Sequence, residues 1–403
     1  MVSKQNWTKI SCKENGLSQQ TRIRDTAYGG YGVGTLEDGR VIFLPHTVEG
    51  DTVTFKITED KAKLVYGEVV EIINPSEHRI EPYCKHIGEC GGCVFGHINY
   101  EKQLEIKKGF VTTALDRNKV EYPEATIVGC DYKEFRNRAT FRVYNGTIGF
   151  YKFKSNTFVP IEECPVLKSS MIEKAREVAK DIKGKSYLYV TENDKGEALA
   201  RTEYLLSSKY SFDGLKSREQ SIGRKHLGYD TRYGTFWVGF HSFLQGNRHI
   251  SNLLQDFVFE NSEGRLGLEL YCGTGYLTLA MARKCEKIDA IESYAPSVRL
   301  AERAKLKNVK WHISLSEQIG TMGKRKVDMI VADPPRTGLE KEVTNYIKDS
   351  GAQKIIYISC DPNTLARDIS RLSGKYAIEK IQICDLFPGS YHVETMVLLN
   401  KVK

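Results

Sequence analysis

The pentad Ser359-Cys360-Asp361-Pro362-Asn363 follows the apolar run Lys354-Ile355-Ile356-Tyr357-Ile358, which has the composition of a buried strand. Cys360 is therefore expected at that strand's carboxyl end, where open α/β sheets gather ligands and chemistry. A thiol there is a candidate nucleophile; the plain alternative is a structural cysteine acting as a small hydrophobe. Further on, Tyr391-His392-Val393-Glu394-Thr395 sets a carboxylate at the start of the final strand. An antiparallel course would return Glu394 to the same sheet edge. Thiol and carboxylate together suit addition to an unsaturated carbon followed by proton removal. Methylating carbon 5 of a pyrimidine has this requirement: sulfur added at carbon 6 makes carbon 5 nucleophilic, and a base then takes its proton. Groups that hold the enolate oxygen complete the set. An exposed strand-end carboxylate is the competing reading of Glu394, and His392 is open between edge residue and supporting group.

A second constellation could bind a methyl donor. Leu268-Glu269-Leu270-Tyr271-Cys272-Gly273-Thr274-Gly275 reads as a strand entering a Gly-x-Gly turn, with a helix expected over Tyr276–Lys284. Glu292 ends the next strand, where a carboxylate can accept both hydroxyls of a ribose. The third glycine of the dinucleotide fingerprint is absent, since the motif continues Tyr276-Leu277-Thr278. That favours a nucleoside without phosphates, such as S-adenosylmethionine. Asp333-Pro334-Pro335-Arg336 closes a further strand, its carboxylate suited to a ligand's polar edge and its prolines to a rigid loop.

Cysteine supplies a third. Cys84, Cys90 and Cys93, with Cys164 in Glu162-Glu163-Cys164-Pro165, are four soft ligands. Their spacing fits an iron–sulfur site better than the paired knuckles of zinc, though zinc stays open.

These residues need elements to carry them. Short strands at Thr21–Thr26, Val41–Pro45, Asp51–Thr58 and Leu64–Ile73 without intervening helices suggest a closed barrel of the oligonucleotide-binding kind. A helix is expected over Tyr100–Arg117, and a hairpin with an Asn145-Gly146 turn joins Arg138–Tyr144 to Thr147–Phe153. A helix over Ser169–Ile182 interrupts further strands. From about residue 240, strands at Leu266–Tyr271, Lys287–Ile291, Val327–Ala332, Lys354–Ser359, Ala377–Cys384 and Val393–Asn400 alternate with helices until the last two. This is an α/β doubly wound, Rossmann-like domain ending in an antiparallel pair. The chain thus divides into an N-terminal β-barrel at 1–75, a mainly β central domain at 76–240 and the α/β domain at 241–403.

Composition narrows the class. At 403 residues the chain can bury several cores. No run approaches the roughly 18 apolar residues of a membrane span, and Met1–Glu14 lacks the apolar stretch of an export signal. A cytoplasmic location is expected, so the ten cysteines point to metal or catalytic use rather than a disulfide framework. A net charge of +8 permits a polyanion partner. Phe135-Arg136-Asn137-Arg138, Phe141-Arg142 and Phe150-Tyr151-Lys152-Phe153-Lys154 interleave basic and aromatic residues, as phosphate contact and base stacking need. One solvated and one packed hairpin face would give the same pattern.

In this order the motifs resemble the S-adenosylmethionine-dependent RNA 5-methyluridine methyltransferase family, in its branch with a TRAM domain and an iron–sulfur cluster. The resemblance spans nearly the whole chain and includes Phe243-x-Gln245-x-Asn247. It implies Cys360 as nucleophile and Glu394 as base, with Gln245, Tyr271, Gly273, Glu292 and Asp333 around the donor and target base. It also implies a 4Fe–4S cluster on Cys84, Cys90, Cys93 and Cys164, and RNA binding by the barrel. Two positions depart from the pattern: many relatives carry Asn where this chain has Tyr276, and Pro388-Gly389-Ser390 lacks a histidine. The implied substrate is structured RNA, 23S ribosomal RNA before the T-loop of tRNA, with the target uridine turned out of its stack and no obligate protein partner. Cytosine-5 methylation fits less well, because Ser359-Cys360 is not the Pro-Cys dipeptide of those enzymes. A non-catalytic RNA-binding iron–sulfur protein is the remaining alternative.

Overall fold

Alternation between core and water shapes the N-terminal sheet. In a computed structural model that describes residues 19–206, 210–322 and 326–402, its strands are Gln19–Arg22, Asp25–Ala27, Tyr31–Thr35, Val41–Pro45, Thr52–Lys61 and Leu64–Asn74. The polar stretch Met1–Glu14, from which no export signal was expected, lies outside the described residues. Taking the strands in chain order, the sheet runs first, fifth, sixth, fourth, third, second. The first strand closes on the third, where Thr21 Oγ1 donates to Thr35 O at 2.9 Å, and just after it Arg24 N–H donates to Val33 O at 2.9 Å. The small barrel so formed packs Ile23, Ile42, Leu44, Val53, Phe55 and Val65 inside. Each such side chain contributes about 1.5–3 kcal/mol by leaving water. Gly34 permits the closure, since a Cβ there would fall 2.6 Å from Thr21 Cγ2.

The chain forms two compact units, one of Met1–Ile106 with Gly389–Tyr391 and one of Lys107–Pro388 with His392–Lys403. In the first, Asp51 anchors the turn after the barrel. Its carboxylate accepts from Val48 N–H and Ser76 N–H and from Nε and Nη2 of Arg79, all within 2.9 Å. The helix Tyr100–Arg117 begins at Asn99, whose Oδ1 accepts from Lys102 N–H at 2.8 Å.

The second unit holds two large sheets and a hairpin. One sheet has seven strands, built on the expected pair Arg138–Tyr144 and Thr147–Tyr151, with Lys185–Glu192 on the other side of the first. The other has eight, in the spatial order Val309–Ile313, Cys285–Glu292, Gly264–Leu270, Met329–Ala332, Lys354–Ser359, Glu394–Lys401, Tyr376–Cys384, Thr126–Val128. The first five are parallel, and Glu394–Lys401 inserts antiparallel between its neighbours. Chain direction across the sheet reverses between Gly264–Leu270 and Met329–Ala332, the switch point at which such sheets bind ligands. Strand Met329–Ala332 is buried throughout, as strands covered on both faces are.

Three elements differ from expectation. Val309–Ile313 forms an edge strand where none was read, because its half-exposed pattern lacks a clean period. Thr126–Val128 pairs with Tyr376–Cys384, a partner far along the chain. The helix after the glycine turn is confined to Thr278–Met281. Among the described residues, no helix is long and apolar enough to cross a membrane.

Candidate active site

The strand Gly264–Leu270 is followed by Tyr271, whose φ of 61° starts a turn continued by Gly273 and Gly275 in the same left-handed region. Only glycine fits at 275, because a Cβ there would lie 2.9 Å from the Trp311 ring. Beside this turn opens a cleft of about 430 Å³, part of it open to solvent, whose lining includes Gln245, Glu269, Tyr271, Gly273, Tyr276 and Asp333. Four of the expected donor-site residues thus share one cavity. Glu292 supports it from behind: its carboxylate accepts from Gly273 N–H at 3.1 Å and Tyr294 N–H at 2.7 Å. Tyr276, the departure noted above, lines the cleft while its hydroxyl donates to Ser251 O at 2.5 Å.

Gln245 is held through its backbone. Its carbonyl accepts from Asn137 Nδ2 at 2.9 Å, and two residues on Asn247 Nδ2 donates to Leu386 O at 3.0 Å. Gly246 between them lets the Phe387 ring approach, since a Cβ would stand 2.8 Å from it. Phe387 is positioned in turn by a fully buried ion pair, Lys107 Nζ to Asp385 Oδ1 at 2.5 Å, whose lysine also donates to Phe387 O.

Cys360 stands in a tight strand-to-helix turn. Asp361 caps the helix Pro362–Leu372 by accepting from Asn363 and Thr364 N–H, and its own N–H donates to Ser359 Oγ. In the antiparallel pairing Ser359 faces Thr395, so Cys360 and Glu394 are the next residues at the same end of two adjacent strands. Thr364 Oγ1 donates to Arg336 O, tying the Asp333–Arg336 loop to this turn.

The electrostatics are those of crowded acids in a desolvated place. Burial, then Glu394 and Asp333, pushes the Cys360 thiol up to about 12, against the pull of Arg336. Burial lifts Asp333 to about 7. Glu394 is raised well above the carboxylate range by burial and by Asp333, again opposed by Arg336. His392, at about 4 through burial and nearby cations, is a neutral imidazole whose Nδ1 lies 3.3 Å from Arg336 Nη2.

Glu269 was missed in the sequence. It is fully buried in the cleft wall, its Oε2 has no hydrogen-bond partner, and burial raises it to about 8 against the Thr278 hydroxyl. A charge inside the apolar run Leu266–Leu270 was the available signal. Cleft chemistry therefore fits a cationic nucleoside: apolar walls, a carboxyl with an unpartnered oxygen and a strand-end glutamate. S-adenosylmethionine has that character.

The cysteines divide between the units. Cys84, Cys90 and Cys93 lie on a segment of consecutive turns in the first, and Cys164 belongs to the second. Among the described residues, no group of three or more His, Cys, Asp or Glu side chains forms a metal site. The interleaved motif also resolves: Phe135 and Phe141 are buried, Phe141 stacking on Phe150, while Arg138 and Arg142 sit on the opposite side of their strand.

The fold is that of a doubly wound, Rossmann-like methyltransferase domain, with a β-barrel formed by strands from Gln19 to Asn74. Residues 316–402 match the tRNA (Uracil-5-)-methyltransferase family, residues 249–353 the methyltransferase small domain and residues 14–70 the TRAM domain. Each model matches one part of the chain, so the chain carries regions similar to a uracil-5-methyltransferase family, a methyltransferase domain and a TRAM domain. An uncharacterized RNA methyltransferase of Aquifex aeolicus is 28% identical, covering 94% of this chain and 97% of its own. Another from Synechocystis is 29% identical with both chains covered completely. The fold is similar to that of the Pyrococcus abyssi tRNA (uracil-54, C5)-methyltransferase in complex with S-adenosyl-L-homocysteine, with a TM-score of 0.78 and 23% identity over 94% of this chain and all of that one.

Proposed function

We propose that this protein methylates carbon 5 of a uridine in RNA, using S-adenosylmethionine, Cys360 as nucleophile and Glu394 as base. One observation carries the reading: the strand register that sets the Cys360 thiol and the Glu394 carboxyl at one sheet end beside Asp333. S-adenosylmethionine supplies an electrophilic methyl group, and Gln245, Tyr271, Gly273, Glu292 and Asp333 would hold it and the target base. The Cys360 sulfur, after giving its proton to water, bonds to carbon 6, and the ring electrons shift to make carbon 5 nucleophilic. Once carbon 5 has taken the methyl group, with S-adenosylhomocysteine as the leaving group, the Glu394 carboxylate would take the carbon 5 proton. The carbon 5–carbon 6 double bond reforms as the carbon–sulfur bond breaks, returning Cys360 as thiolate. Arg336 offers the cation that steadies the thiolate and the enolate oxygen.

The resemblance of TRAM domain plus cysteine cluster leads to ribosomal RNA as first substrate. The matched family's description favours a tRNA uridine as the second. By the same resemblance Cys84, Cys90, Cys93 and Cys164 would hold a 4Fe–4S cluster, a donor set whose softness suits iron–sulfur ligation. Iron and sulfide analysis of protein purified without oxygen would find the cluster; stoichiometric zinc would replace it.

The function is tested with labelled donor and RNA containing 5-fluorouridine. Lacking a removable carbon 5 proton, the methylated product is expected to stay bound to Cys360. No covalent product, or one that survives Cys360→Ala, overturns the chemistry. Mapping 5-methyluridine in ribosomal and transfer RNA from cells lacking the gene assigns the substrate.

A further inference from the structure

The seven-stranded sheet of the second unit has one covered and one open face. Helix Ser169–Ala179 covers the first: Met171, Ile172, Ala175 and Val178 are buried there, and Glu192 accepts from Ser170 Oγ at 3.0 Å and Lys174 Nζ at 3.2 Å. Residues out of phase with Glu192 turn the other way. On strand Arg138–Tyr144 these include Arg138, Arg142 and Tyr144; on Lys185–Glu192 they include Lys185, Tyr187 and Tyr189.

Register makes an alternating array of them. Arg142 is paired with Tyr187, and its guanidinium lies 4.2 Å from that ring's centre and 4.5 Å from the ring of Tyr151. Arg201, opposite Tyr189, lies 3.9 Å from its ring. The rings of Tyr187 and Tyr189 are inclined at only 24° to each other. Tyr144 and Tyr187 remain 45% and 42% exposed, high values for large aromatic side chains. Gly149 lets the Phe158 ring lie across the sheet toward Tyr144, because a Cβ would stand 2.7 Å from it.

Charge selects the occupant. These strands carry Arg138, Arg142, Lys185, Arg201 and Lys216 away from the helix, whereas their carboxylate Glu192 is on the covered side. Glu203, just past its strand, engages Arg201 at 3.3 Å. A protein interface would centre on an apolar patch with charge at its rim; here charge and ring alternate throughout. Flat π surfaces flanked by guanidinium forks suit unpaired bases and their phosphates. At one end Arg138 stands 4.9 Å from the centre of the Phe243 ring, and Phe243 lines the donor cleft.

We infer that this open face is a stacking platform for a single-stranded stretch of the substrate RNA, leading to the Phe243 edge of the donor cleft. The inference rests on the proposed action on RNA and adds where and in what form the RNA is held. It is tested by fluorescence anisotropy with a labelled oligouridylate and a labelled RNA duplex, comparing the full chain with Tyr187→Ala, Tyr187→Phe and the pair R142Q/R201Q. Tyr187→Ala is expected to weaken oligouridylate binding about tenfold and Tyr187→Phe to keep it. R142Q/R201Q is expected to flatten the log–log salt dependence by about 0.7 for each phosphate no longer neutralised. Unchanged S-adenosylhomocysteine binding by calorimetry shows that each variant is folded. Variants that bind oligouridylate like the parent, or a parent that binds only duplex, overturn the platform and leave the proposed function standing. A parent that binds no RNA removes both.

Discussion

Among the carboxylates buried away from water, the molecule treats two oppositely. Asp51, beside the N-terminal barrel, receives two backbone N–H groups and both arms of Arg79. Glu269, in the wall of the donor cleft, keeps Oε2 without a partner and is pushed up to about 8 by burial. A satisfied buried acid joins a turn to its barrel; an unsatisfied one spends stability on a place for something else. Asp333 and Glu394 are raised too, Asp333 by burial and Glu394 by burial and by Asp333 against Arg336. The difference sets Glu269 apart as an acid with an oxygen the chain leaves unpartnered in the cleft wall.

The comparison can be broken at several points. Glu394→Gln should lower methyl transfer by about 10²–10⁴-fold, as loss of a general base does, and leave melting temperature unchanged or higher; single-turnover kinetics and calorimetry read the two. An unaltered rate would return Glu394 to the role of a strand-end residue. Arg79→Met should cost roughly 3–5 kcal/mol in urea unfolding, because Asp51 would remain buried with its charge uncompensated.

Glu269→Gln should do the reverse and gain stability at alkaline pH. The folded protein favours the neutral carboxyl, so that contribution is complete below the ordinary carboxylate range and is lost as pH rises toward 8. The gap between variant and parent should therefore widen from pH 5 to pH 9, reaching about 1–3 kcal/mol, while donor affinity falls. A gap that narrowed would mean Glu269 is paired after all. For Cys360, alkylation by iodoacetamide in the ligand-free protein should still be accelerating at pH 10, since its thiol is held near 12. A plateau near pH 8.5 would place the sulfur in a far less crowded field. The smallest effect is expected at Tyr144→Ala on the open sheet face, within about 0.5 kcal/mol of the parent in stability.

Much of this was legible in one dimension. The Asn145-Gly146 hairpin, the helix Tyr100–Arg117 and the strand Lys354–Ser359 follow from local periodicity and turn chemistry, and the structure has them where expected. Edge and long-range pairings were not. Val309–Ile313 alternates too weakly to announce a strand, and Thr126–Val128 acquires its sheet only from Tyr376–Cys384. The basic–aromatic stretch was noticed, yet Phe141 and Phe150 face the core and the tyrosines of Lys185–Glu192 supply the open side. Residue types alone do not say which side of a strand meets solvent.

By itself, the order of residues determined which groups could react: a thiol after an apolar strand, a carboxylate before the last one, a glycine turn and four soft ligands. Local backbone preference and the reach of each side chain suffice for that. Tertiary structure alone decided their company, because charge coupling depends on distance through space and on exclusion of water. Glu394 and Asp333 raise Cys360, and Asp333 raises Glu394, only because strands from separate parts of the chain end together, and Glu269 is costly only because the sheet around it is closed.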